Sequence, residues 1–448
     1  MADYAKIFKS YDIRGVVPDE LDEGVAEAVG GAFAVMTRAP AIVIVHDMRT
    51  SSGPLATAFA RGATRAGANV IDGGLGSSDM LYYGSGSLDV PGAMITASHN
   101  PAEYNGIKLC RAGARPVGQD TGLAELRQMV TDGAPAAAPS PGSVTEEDLL
   151  GGYADYLKSL VDLSGIRPLT LVADAGNGMA GHTVPRVFAG LPIKVDPLYF
   201  ELDGSFPNHE ANPIDPANLV DLQAAVRNSG ADLGLAFDGD ADRCFVVDER
   251  GEIVSPSVLT ALIAVRELAR EPGAAVIHNL ITSKAVPEII AEHGGTPVRT
   301  RVGHSFIKAV MSERHGIFGG EHSGHFYFRD FWFADSGMLA ALHVLAALGG
   351  QDRPLSELLA QYSRYVSSGE INSTVADQAA TTAEVRSAYA ERPGITADDL
   401  DGLTITSRDW RFNLRPSNTE PLLRLNVEAD DPATLAKVTE DVLRIVRQ

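Results

Sequence analysis

Short apolar runs that release into polar loops recur along the chain, and their spacing predicts its architecture. Residues 41–45 read Ala-Ile-Val-Ile-Val, shorter runs return at 70–71 and 93–95, and between them residues 52–67 carry small apolar side chains at a helical period. Continuous β-branched strands alternating with helices predict βαβ units whose sheet is covered on both faces. A second series has a strand over 169–173, a turn at Asn177-Gly178, helices over 181–188 and 217–228, and a strand over 232–237. A third has strands over 275–278 and 298–302 and helices over 283–293 and 335–348. After about residue 365 the pattern changes to strands over 403–406 and 422–427, closed by an amphipathic helix over 432–446. Near the N-terminus residues 8–15 alternate like a short strand ending on Arg14-Gly15, and Asn105-Gly106 predicts a turn into a strand that carries Lys108. Residues 133–143 are rich in Pro, Ala and Ser without a period, which predicts a linker. The expected fold is α/β, with three βαβ-type mixed-sheet domains over 1–140, 145–248 and 249–364 and a smaller C-terminal α+β domain over 365–448.

Composition narrows the partners. The 448 residues are 45% hydrophobic and 21% charged, too many for one core. Acids outnumber bases 58 to 37, and the net charge of −21 argues against nucleic acid or an anionic membrane as a partner. An anionic small substrate would then need a local cluster of Arg, Lys and backbone N–H groups. Cys110 and Cys244 are far apart and read as reduced thiols. No apolar leader opens the sequence, and the most apolar stretch, 338–348, is short and carries His343. A cytoplasmic protein, monomer or homodimer, is expected.

Four polar loops carry the candidate chemistry. The run 93–97 ends in Ser98-His99-Asn100-Pro101, where proline fixes a turn at the carboxyl end of a strand, the end at which open α/β sheets bind ligands. A serine hydroxyl is a weak nucleophile unless a base, a metal or an existing leaving group assists it. In Asp238-Gly239-Asp240-Ala241-Asp242-Arg243 carboxylates alternate with the two smallest residues, so three acids can converge on a hard cation such as Mg²⁺. An EF-hand is excluded by Arg243 at the position of its required glycine; a phosphatase whose nucleophile is Asp238 remains an alternative. Gly320-Glu321-His322-Ser323-Gly324-His325 offers an anionic acceptor and a hydroxyl between glycines, a device for holding sugar hydroxyls. Arg415-Pro416-Ser417-Asn418-Thr419-Glu420-Pro421 gathers the donors a phosphate monoester needs, with Arg408 and Arg411 expected to add to the local field.

Together, and in this order along nearly the whole chain, the loops resemble the α-D-phosphohexomutase superfamily, and within it the bacterial phosphomannomutase/phosphoglucomutase branch. The resemblance implies four domains around a central active-site cleft. It implies that Ser98 carries a phosphoryl group which completes the shell of one Mg²⁺ held by Asp238, Asp240 and Asp242. Mannose 6- and 1-phosphate, and the glucose pair, would interconvert through hexose 1,6-bisphosphate. Arg14, Arg243 and Lys108 would stabilise the transferring group, and His99 or Lys108 would serve as acid or base. Glu321, Ser323, His304 and His325 would hold the sugar, and Arg415, Ser417, Asn418 and Thr419 the phosphate that is not reacting. His322 stands where this branch often has methionine. A phosphoglucosamine mutase is the nearer alternative, although that branch typically has Ser-Gly-Thr in the phosphate loop; a sugar-phosphate sensor on an inactive scaffold is the non-catalytic one.

Overall fold

The computed structural model describes residues 3–133, 135–417 and 422–448. They form four sheets, and the chain divides into two compact units, Met1–Pro256 with Ser323–Leu358, and Ser257–His322 with Leu359–Gln448. The architecture is the expected α/β one.

In the first unit, one sheet has its parallel centre in Gly92–Ile95, Ala41–His46 and Asn69–Leu75, the apolar runs of the first two being buried on both faces. Tyr104–Arg111 pairs antiparallel with Gly92–Ile95, and Ile13–Val16 pairs antiparallel with Tyr104–Arg111. Asn105-Gly106 is therefore not a turn but the middle of a ladder, with Arg14 opposite Gly106. A Cβ on Gly106 would stand 2.5 Å from the Ile13 carbonyl oxygen and 2.7 Å from that of Thr96, so the glycine serves close strand approach. Helix Glu23–Thr37, absent from the sequence-based expectation because its apolar residues wrap round it, packs on Ser52–Arg65. A Cβ at Gly62 would meet the Glu27 carbonyl oxygen at 1.9 Å.

The expected linker is pinned to the end of helix Ser52–Arg65 and then joins this sheet. Ala138 and Gly142 donate to the carbonyls of Arg65 and Thr64, and Val144–Glu146 pairs parallel with Asn69–Leu75. The expected boundary at 140 to 145 thus cuts into a strand of the first sheet, because the chain leaving the Pro/Ala segment continues along the sheet edge by backbone hydrogen bonds.

The other sheet of this unit runs Ile253–Val254, Cys244–Asp248, Leu233–Phe237, Leu169–Asp174 and Ile193–Leu198. Leu233–Phe237 is parallel to Leu169–Asp174 and antiparallel to Cys244–Asp248, so the Asp238 to Arg243 loop is a hairpin connection. Helix Gly337–Gly349 is apolar nearly all round and buried, capped by the Ser336 hydroxyl on the Leu339 N–H.

In the second unit Thr296–Thr300, Ala275–Asn279 and Phe318–Gly320 are parallel neighbours, flanked by helices Ala285–Glu292 and His304–Arg314. An antiparallel sheet in the order Val366–Thr374, Leu422–Ala429, Trp410–Pro416, Leu403–Thr406, Thr396–Asp398 packs its apolar face on helices Gln378–Tyr389 and Pro432–Val446. Among the described residues no helix is long and apolar enough to cross a membrane.

One buried carboxyl ties three helices of the first unit together. Asp79, in the first turn of Ser78–Leu88, accepts from the Tyr153 hydroxyl at 2.7 Å and the Ser336 hydroxyl at 2.6 Å, and from Ser77. Tyr153 lies on helix Leu150–Leu160, and Ser336 caps Gly337–Gly349. Burial pushes Asp79 up to about 7 against the pull of those hydroxyls. An unfolded aspartate releases its proton near pH ~4, so between the two values the folded chain holds the extra proton and stability falls as pH rises. The melting temperature should therefore drop from pH 5 to pH 8, and Asp79→Asn should flatten that drop; equal slopes in the two proteins would show that Asp79 does not titrate in this range.

Candidate active site

The strand Gly92–Ile95 is buried throughout and delivers Thr96 to Asn100 at its carboxyl end. Ser98 sits there in the left-handed region, φ 51°, with its N–H on the Thr96 hydroxyl at 2.9 Å. That conformation, rarely adopted by residues with a Cβ, turns Oγ toward the acidic hairpin. Ser98 Oγ donates to Asp238 Oδ2 at 2.8 Å and lies 3.2 Å from both Arg243 Nη2 and His99 Nδ1. A Cβ on Gly239 would stand 2.4 Å from the Ser98 carbonyl oxygen, so only glycine lets the two loops meet.

The three aspartates are buried, each with a carboxylate oxygen within 4.8 Å of the others. Cations stand among them. Arg243 donates to Asp238 through its backbone N–H and Nε, at 3.1 and 2.9 Å. Lys108 Nζ reaches Asp240 Oδ2 at 2.6 Å and Asp242 Oδ2 at 2.7 Å, and the Ser78 hydroxyl donates to Asp240 at 2.6 Å. Burial pushes Asp238 up to about 7, with Arg243 opposing. Asp242 is equally buried, yet Lys108 and His325 hold it well below the usual carboxylate range. Burial works against the charge on Lys108, but Asp240 and Asp242 raise it well above a free lysine, so it stands as an ammonium.

Asp240 Oδ1 and Asp242 Oδ1 are buried and have no hydrogen-bond partner among the described residues. Asp242 Oδ1 is shared with His325 Nε2 at 3.5 Å, and such carboxylate oxygens in one cluster fit a hard divalent cation. A second trio, Asp242, His325 and Asp335, shares one of these acids.

His99 is held neutral, by burial first and then by Arg243 and Arg14. Its Nδ1 faces the Arg243 guanidinium, which can only donate, so the ring proton resides on Nε2. Arg14 donates to Asn100 Oδ1 at 2.6 Å and pairs with Asp12. Ser323 and His325 also belong to the first unit, with Ser323 Oγ 3.0 Å from His325 Nδ1 and His325 Nε2 3.5 Å from Asp242 Oδ1.

The remaining candidates lie in the second unit, and the chain passes from one unit to the other between His322 and Ser323, inside the Gly320 to His325 loop. Glu321 is buried; its Oε1 accepts from Asn279 Nδ2 at 3.1 Å and the Gly303 N–H at 3.2 Å. Asn279 also lies 3.0 Å from His322 Nδ1, so His322 packs on the same amide that holds Glu321. His304 opens helix His304–Arg314. Arg415 lies within strand Trp410–Pro416, one residue from its end, rather than in a loop, with Nη2 3.3 Å from Glu370. The Ser417 N–H donates to the Leu422 carbonyl at 2.8 Å, and Asn418 and Thr419 lie outside the described residues. Arg408 and Arg411 do not add to this loop. Arg411 pairs with Glu428 at 2.9 Å near the other end of strand Trp410–Pro416, about 20 Å of extended chain from Ser417. Arg408 precedes that strand and is exposed.

Three further residues serve the site without having been singled out by pattern: Ser78, Asn279 and Arg49. Asn279 ends the apolar strand Ala275–Asn279, and Arg49 follows the apolar strand Ala41–His46, the same placement that marks Ser98. Ser78 carries no signal beyond opening a helix.

Family models described as phosphoglucomutase/phosphomannomutase alpha/beta/alpha domains I, II and III match residues 5–135, 151–251 and 256–365, and the C-terminal domain model matches 370–445. The chain belongs to the phosphoglucomutase/phosphomannomutase family of the α-D-phosphohexomutase superfamily, and is an isomerase of the mutase type. It is 41% identical over 444 residues to "Phosphohexose mutases" of Xanthomonas campestris, covering 98% of this chain and 99% of that one. It is 40% identical to a phosphomannomutase of Salmonella montevideo, over 98% of each. Among solved structures, a phosphoglucomutase/phosphomannomutase family protein from Burkholderia thailandensis superposes with a TM-score of 0.90 at 33% identity, covering 100% of this chain and 98% of that one.

Ser78 bears on the acidic cluster through Asp240, to which its hydroxyl donates, and through Lys108 Nζ, which donates to that hydroxyl at 3.3 Å. Ser78→Ala should weaken Mn²⁺ binding, followed by electron paramagnetic resonance, by about tenfold or more; unchanged affinity would mean that the hydroxyl does not orient Asp240.

Proposed function

We propose that the chain interconverts mannose 6-phosphate and mannose 1-phosphate, and the glucose pair, by way of a phosphoserine at Ser98 and a hexose 1,6-bisphosphate. The observation that carries this reading is Ser98 Oγ, hydrogen-bonded to Asp238 at 2.8 Å and set 3.2 Å from the Arg243 guanidinium, beside two aspartates with unsatisfied oxygens.

A sugar hydroxyl attacks phosphorus on phosphorylated Ser98, the Oγ–P bond breaks, the new O–P bond gives the bisphosphate, and the hydroxyl proton ends on Oγ. The bisphosphate turns round, and Oγ takes back the other phosphate while its proton passes to the sugar oxygen released, leaving the isomeric monophosphate. Such a transfer is driven chiefly by positioned charge. Arg243 and Arg14 receive the charge that spreads over the phosphoryl oxygens. Lys108, held as an ammonium between Asp240 and Asp242, keeps those carboxylates from repelling the phosphate. Asp238, Asp240 and Asp242 would hold a Mg²⁺ ion, which supplies charge neutralisation for the phosphoryl group.

With its Nδ1 engaged by Arg243, His99 offers its Nε2 proton as a donor rather than a free lone pair. For Glu321, Ser323, His304 and His325 on the sugar, and for Arg415, Ser417, Asn418 and Thr419 on the idle phosphate, the reading rests on motif resemblance. Asp238 as a phosphatase nucleophile is disfavoured, since both its oxygens are engaged by Arg243 and Ser98.

Ser98→Ala should abolish mutase activity on mannose 1-phosphate and glucose 1-phosphate and take up no phosphate from glucose 1,6-bisphosphate by intact mass. Full activity in that variant would end the proposal, and turnover of the glucose pair alone would correct the substrate.

A further inference from the structure

Arg49 belongs to no motif that selected the site, yet its guanidinium is buried under the serine loop. Nη1 donates to the carbonyls of Pro101 and Tyr104 at 2.8 and 2.9 Å, and Nη2 to those of Ser98 and Asn100 at 2.9 and 2.6 Å. Asp47 balances the charge, 3.3 Å from Nε, and accepts the Arg49 N–H at 2.9 Å. Its backbone N–H is in turn fixed on the Ile95 carbonyl, at the end of the strand that leads into Ser98. The Phe206 ring lies over the guanidinium, 5.0 Å from carbon to centroid. Close approach by the neighbouring segment is built in, since a Cβ on Gly204 would stand 2.5 Å from the Arg49 Cα.

This arrangement has a particular consequence for Ser98. Its left-handed backbone points the carbonyl away from any strand partner, and a buried carbonyl without a donor is costly. One planar fork supplies the donor there and at three further carbonyls of the same loop. We infer that Arg49, clamped between Asp47 and Phe206, is a positioning residue for phosphoryl transfer: it holds the loop in the one conformation that sets Ser98 Oγ against Asp238 and Arg243. The inference rests on Ser98 being the phosphate carrier. An ammonium has the charge but lacks the fork, and its three protons cannot serve four carbonyls in one plane. Lysine is thus the informative replacement.

In Arg49→Lys, kcat should fall about tenfold or more, while KM for the hexose phosphate stays within about twofold. The single-turnover rate of phosphate transfer from Ser98 should slow by the same factor. Phe206→Leu, which loosens the stacking but keeps every hydrogen bond, should lower kcat by a smaller factor in the same sense, and decides the matter if Arg49→Lys does not fold. A merely structural role predicts a lower melting temperature with kcat per folded molecule unchanged, or kcat and KM disturbed alike; either result overturns the inference. Intact mass of the wild type after glucose 1,6-bisphosphate separates the two levels. Labelled wild type with undiminished Arg49→Lys turnover overturns the inference alone, whereas wild type that takes up no phosphate on Ser98 overturns the phosphoserine reading and the inference with it.

Discussion

Three carboxylates cannot be buried on one short hairpin unless cations stand among them, and the first unit is arranged to bring those cations there. Lys108 comes from the strand Tyr104–Arg111 of one sheet, Arg243 from the end of the acidic hairpin in the other. The two sheets must therefore be docked for the charges to balance. An unpaired buried ion costs several kcal/mol. The hairpin thus doubles as a fastening between the sheets, and the serine loop is drawn into it through Asp238. The two oxygens that remain unsatisfied, on Asp240 and Asp242, are what the compensation leaves over for a ligand.

The surrounding contacts repeat this division of labour. Glycines at 106 and 239 let backbones approach where side chains would block them, at the strand ladder beside Thr96 and at the meeting of the serine loop with the acidic hairpin. Ser78, Thr96 and Arg49 satisfy or orient groups that the reactive side chains cannot reach. In a chain of net charge −21, the Arg243 guanidinium and the Lys108 ammonium are concentrated beside Ser98 and the acidic hairpin.

Much of this was legible from pattern. Buried strands announce themselves by runs such as Ala41–His46, and a polar cluster directly after such a run, as at Ser98 and Asp238, marks the carboxyl end of a strand because a sheet has nowhere else to present reactive side chains. The mixed α/β class, the C-terminal strands and the last helix follow from the same periods. Asn105-Gly106 misled for a definite reason: the pair that permits a tight turn also permits close strand approach, and only the partner strands decide which. Helix Glu23–Thr37 escaped because a helix buried on most sides has no polar stripe to betray its period.

By itself, the order of residues determined which groups are available: a serine, three aspartates, an acid and hydroxyl between glycines, and a donor-rich loop. Tertiary structure alone decided their relations. That Lys108 neutralises Asp240 and Asp242, that Arg411 is spent on Glu428, and that Arg49 reaches four carbonyls some fifty residues away all depend on contacts between distant segments. Charge and hydrogen-bond complementarity act through space, and spacing along the chain records only the part of them that lies within a few residues.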